Sequence, residues 1–142
     1  MRIAIGFCRL FLTIGIAAVG GFARPVNAPQ QNQNVQVIEV TARKYEFSPS
    51  TIHVKQGGTV RLKIASLDRT HGFKISLYPD GSDSNGAPGL TFTSKGDCFR
   101  IEKDSPTTIE FTASKPGIYS FHCCNRCGLG HGGMKGQLVV EP

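Results

Sequence analysis

The sequence predicts an all-β domain, a sandwich or barrel of short strands, and three observations carry that reading. Stretches that alternate apolar and polar residues recur from residue 35 to the C-terminus. Turns rich in Gly and Pro separate them, and no segment carries an apolar repeat of 3.6 residues. About 105 residues is a comfortable length for such an architecture.

The first stretch, VQVIEVTA (residues 35–42), alternates with Val35, Val37, Ile38 and Val40 as candidates for the apolar side. YEFSPSTIHV alternates next and contains Pro49, which lacks an amide donor and so predicts a bend or an edge position. KQGGT is a turn. VRLKIAS then sets Val60, Leu62 and Ile64 on one face and Arg61 and Lys63 on the other, strict period two. GFKISLY follows, and residues 79–88 form a long loop of Gly, Ser, Asp and Asn. The remaining strands are CFRIEK, TTIEFTA, IYSFHC after the turn SKPG, and GQLVVE. In IYSFHC, Ile118, Ser120 and His122 point one way and Tyr119, Phe121 and Cys123 the other.

Residues 1–28 precede the strands and have the parts of a secretory signal. Arg2 and Arg9 flank the start of an apolar run, LFLTIGIAAVGG, and VNA at residues 26–28 ends in a small-residue exit. The run is shorter than the roughly 20 residues a spanning helix prefers, so a cleaved signal is expected ahead of a retained membrane anchor. Either places the domain outside the cytoplasm, in the periplasm or on the outer face of a membrane. Residues 29–34 read as a linker and residues 35–142 as the folded domain. Without the leader the chain has 13 basic and 10 acidic residues, a net charge of +3. The basic residues are scattered, without runs or interleaved aromatics, which gives nucleic-acid binding no support.

The densest chemistry lies in FHCCNRCGLGHGGM, residues 121–134, where a strand gives way to a loop. Thiolate and thioether are soft donors and imidazole is intermediate, a combination that suits copper better than magnesium, calcium or manganese. Zinc accepts Cys and His but has little use for Met134. Counting from Cys123 gives Cys-x3-Cys-x3-His-x2-Met; counting from Cys124 gives Cys-x2-Cys, a common zinc or redox spacing.

Cys-x3-Cys-x3-His-x2-Met resembles the binuclear copper (CuA) motif of cytochrome c oxidase subunit II, which nitrous oxide reductase shares. CGLGHGGMKGQLVV is similar to that family's CG-x-x-H-x-x-M-x-G ending, and KPGIYSFHC to its PG-x-Y strand. SLDRTHGF resembles its S-x-D-x-x-HGF stretch, and the likeness covers residues 44–140. The resemblance implies a cupredoxin-like Greek-key β-sandwich or barrel. It also implies two copper ions bridged by the thiolates of Cys123 and Cys127, with one histidine each from His71 and His131. The axial ligands it implies are the Met134 sulfur and the backbone carbonyl of Asn125. Many family members have Glu at that last position, and since only the backbone oxygen is used, Asn is tolerated.

The function implied is single-electron transfer, with a redox protein such as a cytochrome c, or a terminal oxidase, as partner. The family's oxidase subunits carry a two-helix membrane hairpin before the copper domain, and this sequence offers at most one helix. It therefore fits a soluble or singly anchored carrier as well as an electron-entry component of an oxidase-like complex. Two other readings stand beside it. One is a copper chaperone or scavenger that binds a single copper through the same ligands and uses Cys124 as a spare thiol. The other is a zinc-stabilised domain built on Cys124, Cys127 and His131, with Cys98. No nucleophile, base and orienting group emerge as a catalytic set. Cys124 is open to a disulfide with Cys98, to burial as an inert thiol, or to ligation. His122 and His53 are expected to be ordinary strand residues, and Tyr119 and Phe121 core.

Overall fold

The computed structural model of the protein describes residues 34–142; the predicted leader and, apart from Asn34, the linker lie outside that range. Ten strands run in order as β1 Val35–Arg43, β2 Glu46–Ser48, β3 Thr51–Lys55, β4 Thr59–Ser66, β5 His71–Ile75, β6 Leu90–Phe92, β7 Phe99–Ile101, β8 Thr107–Ala113, β9 Gly117–His122 and β10 Lys135–Glu141. They form two five-stranded sheets, β2-β1-β4-β8-β6 and β3-β10-β9-β5-β7. The pairs β1–β4 and β3–β10 are parallel and the others antiparallel. The all-β fold is therefore the one the sequence predicts.

Alternation explains which faces meet. Val60, Leu62 and Ile64 of β4 are fully buried, as their period-two spacing requires, and Ile109 and Phe111 of β8 join them. Across the core lie Phe73, Tyr119, Phe121, Leu138 and Val140 of the second sheet. The first strand corrects the expectation for its apolar face. Val35 and Val37 are 36% and 50% exposed, while Ile38, Val40 and Ala42 turn inward. The cause is the register with β4, which pairs Ile38 with Leu62 and Val40 with Ile64. Paired residues share a face, so the inward set of β4 selects the even-numbered residues of β1.

YEFSPSTIHV divides at Pro49, in keeping with the bend or edge position expected there. β2 is an edge strand of the first sheet and β3 an edge strand of the second, and the chain crosses between them at Pro49. The short strand β6 went unseen in the sequence because three residues after a Gly-rich loop show no measurable periodicity.

Phe47, Phe73 and Phe121 meet in the core with ring centroids 5.0–5.6 Å apart, two of the three contacts being edge-on. Edge-to-face contacts of this kind stabilise beyond the area they bury. Phe73 and Phe121 are two residues from His71 and Cys123, on the same faces of their strands. The aromatic trio is thus the floor on which the ligand cluster stands.

Phe47→Ala is expected to remove about 3–5 kcal/mol of stability from the metal-free protein, as large core truncations do. Ile118→Ala, on a side chain 46% exposed, should change it by less than about 0.5 kcal/mol. Urea denaturation of both variants checks the contrast.

Candidate metal centre

Three pieces of chain converge at one end of the sandwich. β5 begins with His71. Cys123 lies just past the end of β9. The loop from there to β10 supplies Cys127 and then a 3-10 turn, His131–Gly133, which presents His131 and leads into Met134. His71 and Met134 are fully buried, Cys123 and Cys127 are nearly so, and His131 is half-buried.

Cross-strand geometry sets these positions. The Cys123 amide donates to the Met134 carbonyl at 2.9 Å, continuing the antiparallel pairing of β9 with β10. On the other flank the Gly72 amide lies 3.5 Å from the Cys123 sulfur. A Cβ on Gly72 would fall 2.7 Å from both the Asn125 nitrogen and the Cys124 sulfur, so glycine here lets the ligand loop lie against β5.

The Sγ atoms of Cys123 and Cys127 are 3.5 Å apart, and neither forms a disulfide. Cys127 Sγ is 3.7 Å from His131 Nδ1 and 3.9 Å from Met134 Sδ, and Cys123 Sγ is 3.2 Å from the Asn125 carbonyl oxygen. The donor atoms of His71, Cys123 and Cys127 all lie within 4.8 Å of one another. The other three residues singled out in the sequence, Asn125, His131 and Met134, each lie within 3.9 Å of one of the two cysteine sulfurs.

His71 supplies the test of whether a metal fits. Its Nε2 is 2.7 Å from Asp68 Oδ1, whereas its Nδ1 is buried without a hydrogen-bond partner. Buried polar atoms are ordinarily satisfied. With Nε2 donating to the carboxylate, Nδ1 carries a bare lone pair, the form in which imidazole binds metals. Sulfur and imidazole donors around this lone pair match copper.

Asp68 is itself held. It accepts the Lys44 amide at 3.1 Å and the Arg69 amide at 2.9 Å besides the His71 ring. Burial raises its pKa, but the hydrogen bonds from His71 and the two amides outweigh burial and hold the carboxyl below its ordinary range. Burial, and then the neighbouring Cys123 thiol, push the Cys127 thiol up to about 11. The Arg69 charge opposes that shift weakly, and its guanidinium donates to the Cys127 carbonyl at 2.9 Å.

Cys124 is bonded to Cys98 in a disulfide, with Cα atoms 5.9 Å apart. That closes the alternatives of an inert thiol or an extra ligand, and it removes Cys98 and Cys124 from any zinc set. It also takes away the spare thiol that a chaperone reading would use. His122 is exposed, and exposed His53 pairs with Glu141 at 3.0 Å on β3, an edge strand. Asp68, Arg69 and Tyr45 were missed as contributors. Asp68 was visible in the quoted S-x-D-x-x-HGF stretch, but nothing in the sequence assigned it a contact. The Tyr45 ring lies against the ligand loop so closely that a Cβ on Gly130 would fall 2.1 Å from it.

Two outcomes follow for the protein itself. Gly130→Ala forces the Tyr45 ring or the ligand loop to move, a strain of about 1–3 kcal/mol. Chelator competition is expected to show copper affinity lowered at least about fivefold. Gly132→Ala, where a Cβ meets nothing within 4 Å, should leave affinity near the parent value. The second concerns pH. An unfolded thiol ionises near 9 and the folded Cys127 near 11, so above pH 9 the unfolded state loses a proton that the folded state keeps. Stability of the metal-free protein is therefore fully present below pH 9 and falls as pH rises toward 11. Melting temperature against pH should show this slope, and Cys127→Ala should flatten it.

The family profile of the cupredoxin-like domain matches residues 15–140. Cytochrome c oxidase subunit 2 of Thermus thermophilus is 30% identical over 123 residues, covering 86% of this chain and 78% of that protein. A second Thermus thermophilus protein of the same name matches at the same identity, and there the chain spans 63% of the length. Nitrous-oxide reductase of Cupriavidus necator is 23% identical over 135 residues, of which the chain spans only 18% of the length. Among solved structures, a heme-copper terminal oxidase dimer superposes with a TM-score of 0.55 at 21% identity, over 89% of this chain and 76% of that one. The chain belongs to the cupredoxin-like domain family and is related to cytochrome c oxidase subunit 2.

Proposed function

We propose that the protein is an exported carrier of single electrons whose centre is a binuclear copper site of the CuA type. One observation carries the reading most: two free, buried thiols 3.5 Å apart, with His71 within 4.8 Å of both and His131 3.7 Å from Cys127. Two sulfurs at that separation can bridge two ions. Cys123, Cys127, His71, His131, Met134 and the Asn125 carbonyl would hold the copper. Copper held there would supply one-electron redox chemistry.

The remaining work belongs to the chain. Asp68 fixes the tautomer and orientation of His71. Arg69 and the Cys98–Cys124 disulfide fix the ligand loop from two sides. The Phe47, Phe73 and Phe121 floor keeps water from the thiols. His131, half-exposed at the surface, is the edge through which an electron enters or leaves.

The domain layout proposed is a leader over residues 1–28, a linker over 29–34 and the copper domain from 35 to 142. Export is supported by the leader pattern and by the Cys98–Cys124 disulfide, a bond that persists in oxidising compartments. The partner is a redox protein such as a cytochrome c, or a terminal oxidase, consistent with kinship to an oxidase subunit.

The test is copper content and electron paramagnetic resonance of the purified protein reconstituted with copper. Two coppers per chain, with hyperfine coupling shared by both nuclei, is the expected result. One copper coupled to a single nucleus overturns the binuclear reading in favour of a mononuclear centre that serves transfer or copper delivery.

A further inference from the structure

The surface around His131 combines an exposed apolar point with unbalanced positive charge. His131 lines a shallow depression with Arg126, Gly128, Leu129 and Gly132. Leu129 stands fully free of the surface, at 106% relative exposure. A leucine held outward at the tip of a ligand loop costs hydration free energy unless something covers it.

Around it three positive side chains stand against one carboxylate, Asp68, whose partner His71 is neutral. Arg126 is exposed on the ligand loop itself. Arg69 reaches the same loop through the Cys127 carbonyl, and Lys44 adjoins Tyr45, whose ring lies against Gly130. Among the described residues no carboxylate lies within 4.0 Å of the charged ends of Lys44, Arg69 or Arg126. Glu46 pairs with Arg43, Glu102 with Arg100 and Asp104 with Lys103, whereas Asp68, bonded to a neutral His71, keeps its negative charge. A surplus of positive charge around an apolar centre steers a partner of the opposite sign and fixes its orientation.

We propose that this rim is a docking surface for an acidic redox protein, with Leu129 as the apolar contact and Arg126, Arg69 and Lys44 facing the partner's carboxylates. The inference rests on the electron-transfer reading for its purpose, but its geometry holds with or without bound metal.

Native mitochondrial cytochrome c, which is basic, and its lysine-succinylated form, which is acidic, are probes that differ mainly in charge. Binding of each to the metal-free and the copper-loaded protein is measured by calorimetry at low and high salt. The succinylated form is expected to bind at least about tenfold tighter at low salt and to lose that advantage as salt screens the rim. Arg126→Glu should reduce its affinity several-fold. Lys115→Glu, an equal charge change in the β8–β9 turn at the opposite end of β9, should reduce it much less. Leu129→Ser should weaken binding at high salt as well as low.

Tighter binding of the native form, equal binding of both, or equal effects of Arg126→Glu and Lys115→Glu each overturn the proposal. The last of these would show net charge acting in place of the rim. Electron uptake by the copper-loaded protein from the reduced probes separates the two readings. Charge-selective binding without electron uptake leaves the surface standing and sinks the relay. Equal uptake from both probes leaves the relay standing and sinks the surface.

Discussion

The cluster holds a buried imidazole nitrogen without a partner and two thiols packed against one another, all within 4.8 Å. Each part costs free energy in the metal-free protein. A bare nitrogen in an apolar surround forgoes the hydrogen bond water would give, about 1–3 kcal/mol. Burial and the neighbouring Cys123 keep the Cys127 thiol protonated, as its displacement toward 11 shows. A soft cation that accepted the lone pair and displaced the Cys127 proton would relieve both penalties. The metal-free arrangement is a cage whose strain is relieved by its ligand, and the rest of the molecule is organised to keep that cage from relaxing.

Three restraints do so, each of a different kind. The sheet fixes backbone spacing through the Cys123–Met134 hydrogen bond and the pairing of β5 with β9. The aromatic trio fixes the floor, because Phe73 and Phe121 cannot shift without opening a void beneath His71 and Cys123. The Cys98–Cys124 bond is covalent and joins the residue after the first thiol to the residue before β7, the strand paired with β5. A centre enclosed on sheet, core and loop sides resists rearrangement when its charge changes. That resistance is what the proposed electron-transfer role would require, and a reversible copper donor would need the opposite.

Much of this was legible in the sequence, and the residues show why. Period-two alternation gave the strand faces of β4 and β9 correctly, because a strand buried on one side must alternate. It misjudged β1, where the run of Val35, Val37, Ile38 and Val40 puts apolar residues on both faces and only the parallel pairing with β4 decides between them. The soft donors stood out because their spacing within fourteen residues is a local property. His71 needed the resemblance, since more than fifty residues separate it from Cys123. The Cys98–Cys124 pairing, the Asp68 contact and the Tyr45 ring on the ligand loop depend on distances between segments far apart in the chain, which composition and spacing do not encode. The three-residue turn that carries His131 and leads to Met134 is too short to leave a periodic trace.

The cage and the charged rim share their anchors. Asp68 holds His71 on one oxygen and receives the backbone of Lys44 and Arg69, while the Arg69 side chain holds the carbonyl of Cys127. The segments that carry the rim's positive charges therefore also orient one imidazole and one thiol. An arrangement of this kind ties recognition to geometry: an incoming partner meets side chains whose backbone is already pinned to the ligands, so little ordering is left to be done on contact. It also sets a limit on what the surface can tolerate. Lys44 contributes to the cage through its backbone amide, so its side-chain charge can vary without releasing Asp68. Arg69 contributes its guanidinium, so a change there touches the ligand loop directly. Arg126, which bonds to neither, is the position where the charge of the face is most independent of the site beneath it.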